Sequence, residues 1–578
     1  MKKIRNYLFT FLIIIFAFLI IFSFYRETGE KKNTLTVVSD SFDTLRIMPF
    51  EKNDVFYFFL PSGVSKEDLF LEAEAENNRI SLTSFQEETE YEIELDGERK
   101  KIVILASENV PTLYIDLLKK DKEYLNSDKK HEVNIHAYMI HENGFVDNYP
   151  LRGTIKGRGN HSWNLSKKAY NLNLEEENDL LDMGKARKWA LVSNAMDLSS
   201  LRNKTVYEFA GRTGLEWTPE GEYVNLYIDG EYNGLYLLCE RVEIGEERLD
   251  IGEDGVLLKR ELPERLDLVN NGFLTRQGNV IEITNPKKIS TYHKDQVMNL
   301  VQKMEDAIFD LDSDVWKDVI DIDSWATCYL IDELFDNFDS GIASAYFYLK
   351  DDGKFYRGPV WDYDAIMFDD PVSIVANSYH RQPYSTNDYY SLLYQRKEFK
   401  NRLIEIYKER FLPMIQDLTD KQIDELSATI DKARHNDSIR WNFEYEEKGD
   451  FKRFLKQRSD FLKEYWENEE NYCKVQVQKE TFYLTYMVKK GQTISEAHGI
   501  DMELFAEKKY CYADSEELFD VQDPIYEDIR LDFVERKEVP ANEQSLLARF
   551  GALNLLFLSA FACAMLVLLA VNRKKYND

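Results

Sequence analysis

Between Asp339 and Asp364 the chain reads D-S-G-I-A-S-A-Y-F-Y-L-K-D-D-G-K-F-Y-R-G-P-V-W-D-Y-D. One acidic residue follows a helical run, then come a strand, a turn and a second strand, and the pair Asp362 and Asp364 closes the segment. That order sets carboxylates at the ends of neighbouring strands, facing one cleft. Phosphoryl transfer needs such a layout: one carboxylate orients the attacking hydroxyl and another holds magnesium against the phosphates. Asp339 ends the helical run 328–338, a poor place for negative charge against the helix dipole, and could accept a hydrogen bond from an incoming hydroxyl. Asp362 follows the apolar run G-P-V-W, where a lone carboxylate is costly unless a cation is bound. Asp364 could share that metal or cap the next turn. Taken singly, each of these is equally the acidic residue of a turn or a solvated strand end.

Upstream, I-K-G-R-G-N-H-S-W-N-L-S-K-K-A-Y sets Gly157 and Gly159 around Arg158, with Lys167 and Lys168 entering a strand. Glycines let backbone N–H groups approach phosphate oxygens, and Arg or Lys neutralises them. A G-R-G tripeptide is as readily an ordinary turn. The segment D-L-S-S-L-R-N-K-T-V-Y-E-F-A carries Glu208, which could hold a phosphate-binding lysine through an ion pair. Lys204 stands four residues before it, so a surface i,i+4 pair serves equally well. Arg202 and Asn203 could contact the acidic loop or cap the helix.

These residues must be positioned by a chain of 578 residues, long enough for two to four domains. Lys and Arg number 73 against 104 Asp and Glu, a formal net charge of −31. Such a chain repels nucleic acid and anionic lipid and attracts basic partners. Aromatic residues make up 13%, which argues for packed domains and against disorder. No C-x-x-C pair or His/Cys cluster is present, so a structural zinc site is not expected. Cys239 and Cys328 lie in apolar runs and read as buried; Cys473 and Cys511 share a short C-terminal stretch and could pair.

Residues 8–24 are uninterrupted by charge and follow Lys2, Lys3 and Arg5; residues 551–571 are similarly apolar and precede Arg573, Lys574 and Lys575. Both read as transmembrane helices with short cytoplasmic ends, 1–7 and 572–578, leaving the large central part extracytoplasmic. Residues 33–110 alternate or run apolar between turn signals, as in a small Ig-like β domain. From 111 to 470 a β-rich portion with one embedded helix, capped by Asp197 and running over 198–212 to Gly214, precedes a mainly helical portion. Residues 472–545 read as a small β domain resembling a β-grasp repeat.

K-G-R-G-N-H-S-W with K-K-A-Y, then S-N-A-M-D-L-S-S-L-R-N-K, Y-I-D-G-E-Y-N-G-L-Y-L-L-C-E, and D-N-F-D with G-P-V-W-D-Y-D resemble the spore coat protein H (CotH) kinase family, in the family's motif order over about 112–467. The resemblance implies an α+β fold with an atypical protein-kinase-like two-lobed domain, here expected between small all-β domains and two transmembrane helices. It implies ATP and Mg2+ as cofactors and Ser or Thr of proteins, cell-surface or spore-coat in type, as acceptors. It assigns Asp339 as catalytic aspartate and Asp362, 23 positions on, as the magnesium ligand. Lys168 or Lys167 matches the phosphate-binding lysine, Arg158 falls in the phosphate loop, and Glu240 borders the adenine. Typical kinases place a metal-binding Asn five positions after the catalytic Asp; this chain has Ser344 there, so one metal suffices or Asp364 takes the role. The acidic surface points to a protein substrate that is basic and Ser-rich. A surface protein that keeps the fold without the chemistry, for adhesion or envelope assembly, is the alternative.

Overall fold

A computed structural model describes residues 35–534, apart from 74–77, 96–97, 148, 160–161, 253, 338, 340, 342, 365, 367–370, 373–379, 382–388, 480–481, 498–499, 501, 514 and 516. The chain divides into two units, 1–502 with 521–530 and 503–520 with 531–578.

The first unit begins with two four-stranded sheets. Leu35–Ser39 pairs antiparallel with Leu69–Ala73 in one, and Val55–Leu60 runs parallel to Glu98–Ala106 in the other. Val37, Phe58, Leu71, Ile102 and Ile104 bury their side chains in a shared core.

Seven strands then close a barrel: β1 (Thr112–Leu117), β2 (Glu132–Ile140), β3 (Leu151–Arg158), β4 (Ala169–Asp179), β5 (Lys185–Val192), β6 (Gly221–Ile228) and β7 (Glu231–Glu240), in the order β2-β3-β4-β5-β7-β6-β1. Alternate residues point inward, so Ile155, Leu172, Trp189, Leu191, Val224 and Leu238 fill the interior. Burying each such aliphatic side chain is worth about 1.5–3 kcal/mol relative to exposure. β1 is the closing element. It pairs antiparallel with β2, Ile135 opposite Leu117, and parallel with β6, Asn225 opposite Thr112.

The helix after the barrel's fifth strand, α1 (Arg202–Gly211), starts later than the expected 198. Asp197 turns its carboxylate onto the loop, accepting from Ser199 N and Oγ and reaching Arg202 N at 2.8 Å. It therefore satisfies a first-turn N–H of the helix from five residues upstream. Gly214 lies beyond the helix end at φ +90°.

A five-stranded sheet follows, β8 (Val256–Glu261), β9 (Gly272–Leu274), β10 (Val280–Asn285), β11 (Ala345–Leu349) and β12 (Phe355–Arg357), in the order β9-β10-β8-β11-β12. Helices α2 (Thr291–Phe309), α3 (Ile322–Leu334), α4 (Ile423–Trp441) and α5 (Lys448–Glu467) belong to a large apolar core with α1, through Phe209, Val301, Leu330, Ile430 and Leu462. The unit also carries the antiparallel hairpin of Tyr472–Lys479 with Phe482–Lys489. In the second unit Tyr510–Tyr512 pairs antiparallel with residues 531–533.

Two expectations are corrected. The fold is α+β with several sheets and a seven-stranded barrel in place of two kinase-like lobes, and among the described residues it holds no helix able to cross a membrane. Its parallel β1–β6 pairing converts what local pattern presents as an open β-rich lobe into a closed cylinder without free edges. The expectation of a two-pass membrane architecture is likewise corrected to what the structure shows: among the described residues no helix is long and apolar enough to cross a membrane. The two apolar segments behind that expectation, 8–24 and 551–571, lie outside the described residues. Cys239, Cys328, Cys473 and Cys511 are free thiols.

Candidate active site

Two loops bring the acidic residues together. The first leaves the C-terminal end of α3 and carries Asp339 and Ser344; the second follows β12 and carries Asp362 and Asp364. Asp339, Ser344 and Asp362 line one small cavity with Asp332, Asn337 and Trp361. The β11–β12 hairpin between the loops is the expected strand, turn and strand, and it folds them back on each other. Ser344 Oγ donates to Asp362 Oδ2 at 3.1 Å, so the position where a kinase metal ligand was expected to be replaced by serine instead steers the neighbouring carboxylate.

The loops are held against their own preference. Asp336, Ser344 and Asp362 adopt left-handed backbone at φ +51°, +50° and +72°. Each non-glycine residue there costs about 1–2 kcal/mol, a cost that persists where the surroundings over-determine the conformation. Those surroundings are visible. Buried Arg260 donates to the Gly341 carbonyl at 2.7 Å, and Asn203 of α1 accepts the Tyr363 N–H at 2.8 Å. Asn203 is thus the residue of the S-S-L-R-N-K run that meets the acidic loop, whereas Arg202 pairs with Asp197 and Glu446.

Asp364 is half-buried, and its carboxyl is pushed up to about 7, first by burial and then by the charge of Asp362; Arg158 pulls the other way. Arg158, the last residue of β3, stands over the Trp361 ring at 5.2 Å, and Trp361 stacks on Tyr207 of α1. Arg241, just after β7, is lowered by burial first and then by the charge of Arg158. Lys287 is lowered by desolvation and then by Lys188 and Arg241, with Glu243 opposing. Within this cationic group Lys188 is paired with Glu243. In a chain of net charge −31, Arg158 beside two repelling carboxylates makes a local field suited to a polyanion carrying a divalent cation.

Magnesium takes one or two carboxylates and completes its shell with water and phosphate oxygens. Asp362 and Asp364 fit that demand, since a cation between them removes their mutual repulsion. Among the described residues no group of three or more His, Cys, Asp or Glu is arranged to hold a metal by itself. An ion there would draw its remaining ligands from the phosphates and water.

The other expected phosphate and nucleotide residues are engaged within the protein. Gly157 lies within β3, and a Cβ on it would meet the Trp163 ring at 2.4 Å, so it is glycine to admit that indole. Gly159, at φ +87°, would meet Ser162 Oγ at 2.1 Å. Lys167 is buried and donates to Asp437 Oδ2 and the Leu235 carbonyl, both at 2.7 Å. Lys168 donates to the Trp163 carbonyl at 2.5 Å and covers that ring. Glu208 pairs with Lys204 at 3.0 Å at i,i+4 spacing, with the lysine end of the pair buried. Glu240 is buried against Arg248 and accepts the Glu220 N–H; burial raises it to about 7. In this structure these six positions have packing and ion-pair roles of their own: each polar group has a protein partner and each glycine a close neighbour.

Sequence reasoning passed over Arg241, Asp332, Asn337 and Tyr363. Asp332 had a signal: a carboxylate inside the apolar run C-Y-L-I-D-E-L-F is expensive to bury and must be bonded. Arg241 had none beyond a charge at a strand end.

The CotH kinase protein family model matches residues 155–473, more than half of the chain. The match begins inside β3 and spans α1, both acidic loops and the helices through α5. Among curated proteins no match to the chain is found.

Proposed function

The chain belongs to the CotH kinase family, and on that premise we propose that it transfers the γ-phosphoryl group of ATP to a Ser or Thr hydroxyl of a protein. The observation that carries this reading is the acidic cavity itself, with Asp339, Ser344 and Asp362 on one wall and Asp364 forced up by Asp362 nearby. Asp339 is the group to accept the hydroxyl proton as the oxygen attacks phosphorus. Asp362, oriented by Ser344, and Asp364 are the residues to hold magnesium, which when bound bridges phosphate oxygens and neutralises charge on the transferred group. Arg158 and Arg241 supply the positive charge toward the phosphates, the role the sequence had offered to Lys167 and Lys168. The acidic balance of the whole chain supports a basic, Ser-rich protein substrate over nucleic acid.

Full-length protein with Mg-ATP labelled in the γ position is expected to label itself or a basic Ser-rich peptide, and Asp362→Ala to abolish that labelling. Unchanged labelling in the variant overturns the assignment. One observation favours a second reading, a fold retained for assembly without chemistry: both lysines of the K-K-A-Y motif are engaged by the protein. A thermal-shift series separates the two, since a nucleotide bound to the native state must raise its stability by mass action. No shift at millimolar Mg-ATP selects the second.

A further inference from the structure

Asp332 lies in the last turns of α3, 1% exposed, in a helix that also buries Trp325, Leu330, Ile331 and Leu334 and, next to it, Glu333, which Arg458 pairs. A carboxylate sealed there is costly unless its oxygens are fully bonded, and well-packed apolar residues in its place are often no less stable. Its retention asks what the carboxylate organises. Its bonds give the answer. Oδ1 accepts from Asn337 Nδ2 at 2.8 Å and from the Tyr363 hydroxyl in a short bond; Oδ2 accepts from the Tyr390 hydroxyl at 3.3 Å and faces Arg357 at 3.8 Å. Asn337 stands on the first acidic loop, and its own Oδ1 accepts the Asp339 N–H at 3.1 Å. Tyr363 stands on the second, between Asp362 and Asp364, and its hydroxyl is pushed well above the ordinary value by burial and by Asp332, so it remains a donor. The same loops also meet through the backbone, where Asn337 and Ile366 form an antiparallel bridge.

Resting on the phosphoryl-transfer reading, we propose that Asp332 is the positioning residue of the site: a single buried carboxylate that bolts the Asp339 loop and the Asp362–Asp364 loop to one point and thereby fixes the distance between proton acceptor and metal-binding carboxylates. Asp332 touches neither substrate nor metal. It acts through Asn337 on one side and Tyr363 on the other. Displacing either loop by about 1 Å costs on the order of a hundredfold in a reaction that depends on alignment. Asp332→Asn keeps the shape but turns one oxygen into a donor, which then faces donors on both sides.

The test is made on the full chain. In the absence of metal and nucleotide, hydrogen exchange of residues 336–344 and 358–364 is expected to rise together by at least tenfold in Asp332→Asn, with Ile423–Trp441 unchanged. With Mg-ATP, kcat is expected to fall at least tenfold while KM for ATP moves less than threefold, because the cations facing the phosphates are untouched. Acceleration of one loop only, of neither, or of the whole unit overturns the proposal. Tyr363→Phe removes a single hydroxyl and guards against misfolding of the first variant. It is expected to speed exchange in 358–364 and lower kcat without changing KM, and wild-type behaviour in both overturns the proposal. Exchange needs no turnover, so a wild-type chain that fails to label any substrate sinks the kinase reading while the loop coupling is still decided.

Discussion

Lys167 with Asp437, and Asp362 with Asp364, are two charged pairs in the same unit in which the partner's charge acts on a buried aspartate in opposite senses. At the first, burial lowers the lysine and raises the aspartate, and each partner's charge opposes that effect. The pair is closed further by the Leu235 carbonyl and the Leu235 N–H. At the second, burial raises Asp364 and the charge of Asp362 raises it again. Charge and burial cancel where the protein is holding itself together. They add where something from outside is needed to relieve them. That distinction separates the structural lysine from the acidic site better than residue type does, since sequence pattern offered both as ligand contacts.

The largest expected effect tests the acidic side. Asp362→Ala should reduce phosphoryl transfer by roughly a thousandfold or more, on the order of 4 kcal/mol of barrier, while thermal unfolding shifts little because the residue is exposed. A large loss of stability would mean that Asp362 is a structural charge like Asp437. Next comes the opposite experiment. Asp437→Ala leaves Lys167 buried without its partner and should cost about 3–5 kcal/mol by denaturant unfolding, and pairing Asp437→Leu with Lys167→Met should recover most of it. Little loss in the single variant would break the comparison.

A smaller effect follows from Asp364. Its folded value, about 7, lies above the ordinary 3.8, so between those limits the folded state binds more proton than the unfolded. Stability therefore falls as pH rises from about 4 to 7 and levels off above, the reverse of a salt-bridged aspartate. Asp364→Asn should flatten that slope in urea titrations across pH, and Mg2+ should flatten it in the wild type. An unchanged slope in the variant assigns it to other groups. Smallest of all, Glu208→Gln should alter stability by less than about 0.5 kcal/mol, as expected for a part-exposed i,i+4 pair. A much larger loss would move Glu208 to the structural side.

The acidic hairpin was legible because its signals are local: apolar strands, a D-D-G turn and carboxylates at the ends fall within 26 residues. The pairing of Glu208 with Lys204 was legible for the same reason, as a helical spacing. The lysines misled, because Lys167 meets Asp437, 270 positions later, and nothing near K-K-A-Y announces that partner. Gly157 misled too: its reason is the Trp163 ring, brought against it by a turn whose course the pattern does not fix. β1 was passed over because a single strand carries little periodicity, and its value lies wholly in what it pairs with.

By itself the sequence determined the acidic residues, their order around the hairpin, the family motifs and the helical character of the later part. Those follow from propensity, periodicity and the chemistry of side chains, all readable within a few turns of chain. The tertiary structure alone decided that the strands close into a barrel, that Arg158 lies near Asp364 while Lys167 is spent on Asp437, and that Asp332 joins the two loops. Each of these depends on contacts between residues distant in sequence, whose free energy is set by burial and partners that no local pattern encodes.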